Sequence, residues 1–151
     1  MIRSAVAYAG AGLVFAGLDA AWLTLTNAAL YRPILGPLLA DRVRLVPAVL
    51  FYALYLLGVV GFAAMPAVRA GRWQNAVKLG AAFGFVAYAT YDLTNQATLR
   101  AWSTEITVLD LSWGTFVSAC GAAAGYFAVK AAGLSLPAPL TASRAAPRTS
   151  P

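Results

Sequence analysis

Histidine is absent from this chain, cysteine occurs once, at Cys120, and charged side chains make up only 11% of its residues. Each shortage removes a class of function. Without histidine and with one thiol, the usual zinc, copper and haem ligand sets cannot be assembled. A lone cysteine forms no intrachain disulfide, and inside an apolar stretch it reads as a buried structural thiol. No phosphate-cradling glycine loop, nucleophile elbow or dinucleotide fingerprint occurs, so no cofactor is expected. A soluble domain carries about 25% charged residues; this chain has too few to cover a water-facing surface. The net charge of +6 therefore points to membrane lipids with anionic headgroups as partners, and not to nucleic acid.

What the chain has in abundance is apolar sequence, 61% of its 151 residues. It gathers in four stretches, Ser4–Tyr31, Leu45–Val68, Leu79–Leu99 and Ile106–Val129. Crossing a hydrocarbon core of roughly 30 Å takes about 20 helical residues, and lipid leaves a bare backbone no other partner than itself. Continuous apolarity, without strand-like alternation, selects helices. The fold expected is an all-α membrane protein, a four-transmembrane-helix bundle in residues 1–134, followed by a disordered, proline-rich tail over 135–151. The first stretch follows Arg3 as a signal peptide would. It runs on through Trp22 to Leu30 without a small-x-small cleavage site and so reads as a retained span. Four spans put both termini on one side, with seven of the eleven basic residues, from Arg3 through Arg69, Arg72, Lys78 and Lys130 to Arg144 and Arg148. The positive-inside bias places that side in the cytoplasm, with the protein multi-pass.

The connections carry their own signals. Pro33, Gly36 and Pro37 interrupt an apolar loop, Arg32–Arg44, expected to lie along the outer interface with a short helix starting at Pro37. Gly71 marks a tight polar turn, and Trp73 and Trp102 read as interfacial belt residues. Gly80 with Gly84, and Gly121 with Gly125, form two G-x-x-x-G pairs at similar depth. They predict that the third and fourth helices touch there and splay toward the other end.

Of five acidic residues, three fall inside the apolar stretches: Asp19, Asp92 and Asp110. An aspartate at a membrane centre costs about 2.5–3.5 kcal/mol on insertion scales and commonly faces the bundle interior. Counted at about 1.5 Å per residue, all three reach the outer half of the membrane. Each precedes a large hydrogen-bonding residue by three positions: Trp22, Asn95 and Trp113. Tyr88, Asp92 and Asn95 share one helix face, and the second helix brings Pro47, Phe51, Tyr52 and Tyr55 to the same level. The candidate ligand-binding residues are accordingly Asp19, Trp22, Tyr52, Tyr88, Asp92, Asn95, Asp110 and Trp113. Asp92, Asp19 and Asp110 are the candidates for any acid–base chemistry, and no metal is expected. Asp110 also has a purely structural reading, because Thr107-x-x-Asp110 resembles a capping box at a helix start.

Leu18–Trp22, the Leu35-Gly36-Pro37-Leu38 run, Pro47 with Phe51-Tyr52, Ala87–Asn95 and Asp110–Thr115 together resemble the bacterial four-helix membrane proteins grouped as domain of unknown function 2177, over roughly residues 5–132. The resemblance implies the topology and marks these residues, and it supplies no reaction. Three functions stay open. The favoured one is binding or transport of a small amphiphile or lipid in a polar, aromatic-lined pocket. The others are a structural or assembly subunit of a larger membrane complex, and an acid–base enzyme or accessory acting on an acyl or isoprenoid chain. Transport through so small a chain would call for a homo-oligomer.

Overall fold

The computed structural model describes residues 1–134. The tail expected over 135–151 lies outside the described residues. All regular secondary structure among the described residues is helical: α1 (Ile2–Thr26), α2 (Arg32–Leu35), α3 (Leu45–Val59), α4 (Met65–Ala70), α5 (Trp73–Thr98) and α6 (Thr104–Ala131). α1 runs into α2, and α3 into α4, through single π-helical turns at Asn27–Tyr31 and Val60–Ala64. Three helical runs are long and apolar enough to cross a membrane: Ile2–Leu35, Leu45–Ala70 and Thr104–Ala131. α5 has the length, 26 residues, but Gln74, Asn75, Lys78 and the polar run Thr94-Asn95-Gln96 make it less apolar.

The two π turns have one cause. Proline offers no N–H, and its ring collides with the carbonyl four residues back. Pro33 and Pro66 each stand two residues beyond a π turn. In both turns the following N–H reaches five residues back, Arg32 to the Asn27 carbonyl and Met65 to the Val60 carbonyl. The widened turn moves the obstructing carbonyl aside and lets the rod continue. The expectation that Pro33 ends the first helix is therefore corrected. Helix persists to Leu35 and tightens into a 3₁₀ turn at Gly36–Leu38, with no new helix starting at Pro37. At the other end of the bundle, α4 closes on Gly71, whose φ of 65° is left-handed, with Arg72 N–H returning to the Ala67 carbonyl.

α6 is the centre of the bundle, with α1 on one side and α5 on the other, both antiparallel to it. Its small residues serve the two neighbours on different faces. Gly80 and Gly84 of α5 lie against Gly114, Ser118 and Ala122. Gly121 and Gly125 instead receive Ala7, Ala11 and Phe15 of α1. The glycine pairs thus do not face each other as the sequence suggested. Residues 121 and 125 sit about 60° around α6 from 118 and 122 on average, since each residue turns the helix by roughly 100°. Nor do α5 and α6 splay. Gln96 donates to Thr104 and accepts from Thr107, each at 2.8 Å, and Tyr91 packs edge-on against Trp102.

The strand of chain that does diverge is α3. Its lower continuation is buried at Val59, Val60, Ala63, Ala64 and Ala67, whereas Leu45, Val46, Val49, Leu50 and Leu54 are exposed. α3 therefore leaves the bundle at the end away from the N-terminus, and it is this departure that makes room for the site. Cys120, expected to be buried, is only partly so.

Candidate functional site

Each carboxyl in the far half of the bundle is positioned by a long helix, and each meets a different supply of donors. Asp19 of α1 is buried, and both of its oxygens are used. The Tyr52 hydroxyl of α3 donates to Oδ2, and the Trp113 indole N–H of α6 donates to Oδ1 at 3.1 Å. Asp110 of α6 accepts from the Tyr31 hydroxyl, which in turn accepts from the Trp22 indole N–H at 3.1 Å. Trp22 and Trp113 stack face to face, with centroids 4.6 Å apart and planes 7° from parallel. The result is an exchange between helices. The tryptophan three residues after each aspartate serves the aspartate of the other helix, Trp113 directly and Trp22 through Tyr31. A buried carboxylate is costly unless hydrogen-bonded, and here two polar groups from neighbouring helices meet that demand.

Asp92 is different. Its side chain is fully buried, and neither oxygen has a hydrogen-bond donor beside it among the described residues. Its acidic neighbour is Asp110 of α6. Below this level, Tyr55 and Ser118 share a hydrogen bond of 2.7 Å, and the Tyr88 ring covers Gly114, where any side chain would collide with it.

Where α3 leaves the bundle, these groups border a cavity of about 420 Å³. Asp19, Trp22, Tyr52, Tyr88, Asp110 and Trp113 all line it. A second cavity of about 350 Å³, between α3 and α5, shares Phe51, Tyr88, Tyr91 and Asp110 with the first and adds Tyr55 and Ala87. Six of the eight residues singled out from the sequence thus come together around one space. Asp92 and Asn95 line neither cavity. Four aromatic wall residues were not among the candidates: Tyr31, Phe51, Tyr91 and Trp102. Trp102, read as a belt residue, stands in the connection between α5 and α6, where its indole donates to Thr107 at 3.0 Å. Trp73, read as a second belt residue, is exposed and leans on Phe127. The Arg32–Arg44 segment expected along the interface contributes Leu35 and Leu39 to the wall.

The capping role expected of Thr107 and Asp110 is overturned. α6 begins earlier, and Ser103 caps it by accepting from Ile106 N–H at 3.2 Å. Thr107 and Asp110 are then interior to the helix, with their side chains turned to Gln96 and Tyr31. This leaves Asp110 as part of the cavity wall and not of a helix end.

Residues 4–127 match the model of the family described as Predicted membrane protein (DUF2177), and the chain belongs to that family. No curated protein and no solved structure matches it.

Proposed function

We propose that this member of the DUF2177 family binds a small amphiphile or lipid in the cavity between α3 and the α1–α5–α6 core. In this reading it is a multi-pass inner-membrane protein with four spans, both termini in the cytoplasm, and the cavity in the outer half. α5 supplies the fourth span, because it packs antiparallel along α6 from Gly80 to Gln96 and joins α4 to α6. The observation that carries the binding role is the pair of contiguous cavities at the departure of α3. Their walls are mainly aromatic and aliphatic, and their few polar groups converge, as in ligand sites generally.

The subunit reading draws support from Asp19 and Asp110, whose hydrogen bonds tie α1, α3 and α6 together without any ligand. A bundle held only for structure has no use for the open space beside those ties, and the cavity therefore favours the binding reading.

Three of the four tryptophans, Trp22, Trp102 and Trp113, line the cavity. Trp73→Phe leaves only these as reporters. A phospholipid with brominated chains, titrated into the detergent-solubilised full chain, is expected to quench them saturably at a ratio near one lipid per protein. Quenching that rises linearly without saturation, or that is unchanged by filling the cavity with Ala48→Phe, would refute the binding role.

A further inference from the structure

The cavity named above has an antechamber of opposite character. A space of about 670 Å³ lies at the end of the bundle beyond it, lined by Arg32, Arg42 and Arg44 with Asp41 as the single acid. Its formal charge is three minus one, or +2. Asn27 and Leu39 line both spaces, so the antechamber and the aromatic cavity adjoin there. The carboxylates at the far end of this path are already occupied: Asp19 by Tyr52 and Trp113, Asp110 by Tyr31. No comparable set of acids faces the three arginines. The charge left to greet a ligand is therefore positive, and it stands at the mouth.

From this we infer that the occupant is an anionic phospholipid, its phosphate held by Arg32, Arg42 and Arg44 and one acyl chain laid past Leu39 into the aromatic cavity. The assignment rests on the binding role proposed above and names the ligand for it. A guanidinium presents a planar fork of donors that matches a phosphate's oxygens. The path supplies the apolar volume for a chain immediately behind that fork. A cationic amphiphile would have to pass the three arginines before reaching carboxylates that already hold donors. General attraction of a basic loop to an anionic membrane surface is the competing explanation, at about 1 kcal/mol per Lys or Arg, and it makes a different prediction for the cavity.

The test uses brominated phosphatidylglycerol and phosphatidylcholine against the Trp73→Phe chain, in a neutral detergent at fixed salt. Phosphatidylglycerol is expected to bind about tenfold or more tightly than phosphatidylcholine, a difference of about 1.4 kcal/mol or more. In the combined Arg32→Gln, Arg42→Gln, Arg44→Gln variant the preference is expected to vanish, with phosphatidylcholine, whose phosphate also meets the arginines but whose choline offsets its charge, bound somewhat more weakly but still saturably. Retained phosphatidylcholine binding also shows that this variant folds. Equal affinity for the two lipids in the parent, or a preference that survives the triple variant, overturns the headgroup assignment alone. A preference that survives Ala48→Phe means surface attraction and also overturns it. Saturable quenching by neither lipid overturns the binding role and the headgroup assignment together.

Discussion

Gly84→Ala is the sharpest probe of how this bundle is held. A Cβ at Gly84 would sit 2.5 Å from Ser118 Oγ and 2.7 Å from Ser118 Cβ, and would collide with the carbonyl oxygen of Gly114. The serine side chain can turn, but the carbonyl belongs to the α6 backbone and cannot. Relief must come from α5 and α6 moving apart along the contact that joins them. Overpacking of this kind costs about 1–3 kcal/mol, and a backbone obstacle places Gly84 in the upper part of that range. Alanine's better helix propensity returns at most about 1 kcal/mol. The net expectation is a loss of about 1–2 kcal/mol, with the Tyr55–Ser118 hydrogen bond weakened as a side effect. Gly17→Ala is the control, because nothing lies within 4 Å of its Cβ, and it should be neutral or slightly stabilising. Unfolding in mixed micelles of rising SDS fraction, followed by circular dichroism, measures the difference. If Gly84→Ala unfolds at the same SDS fraction as Gly17→Ala, the close α5–α6 contact described above is wrong.

Two further outcomes are expected. A double-mutant cycle of Asp19→Asn and Tyr52→Phe should give a coupling between about 0.6 kcal/mol, the average for hydrogen bonds inside membrane proteins, and the maximum of about 1.7 kcal/mol; additivity would show that α3 is not tied to α1 there. Ser103→Ala should cost about 1 kcal/mol by removing the cap on Ile106 N–H, read from the same SDS titration. An unchanged midpoint would return the capping role to Thr107.

How far the sequence disclosed this arrangement depended on what kind of evidence each residue carried. The helices were legible because apolar length is an additive property, and their bounds moved by only a few residues. Asp19, Asp92 and Asp110 were legible as a layer because depth follows from counting residues. Facing was harder. In an uninterrupted helix, Tyr31 lies twelve residues beyond Asp19 and roughly 120° off its face at about 3.6 residues per turn. The extra residue of the π turn at Asn27–Tyr31 brings it back toward the core, where it reaches Asp110. A proline within helical sequence was read as an end when its effect here is a re-aiming. The same kind of error paired the wrong glycines: spacing reveals that a face is small, but not which neighbour fills it. Trp102 was read only as an interfacial residue because its position near a helix end does not disclose that its indole reaches Thr107 and borders the cavity.

The chemistry of the two halves explains why the space exists at all. Near the N-terminal end, alanine and glycine allow Ala7, Ala64 and Gly125 to meet almost backbone to backbone, and α3's continuation is drawn in with them. At the opposite end the groups that need partners are carboxyls, and the donors that reach them are tyrosine and tryptophan. Those side chains are long. Tyr52 can satisfy Asp19 only by standing its ring between α1 and α3, so the hydrogen bond that ties the helices together also holds their backbones a ring's length apart. Phe15 packs edge-on against Tyr52 from below and keeps that ring upright. The cavity is therefore maintained by the polar contacts in its wall. Replacing the aspartate and tyrosine by small apolar residues would remove the need for the spacer and allow α3 to close. Asp19 and Asp110, costly as they are in a membrane protein, are in this sense a means of keeping a hole open beside them, and Asp92, which has no donor among the described residues, takes no part in it.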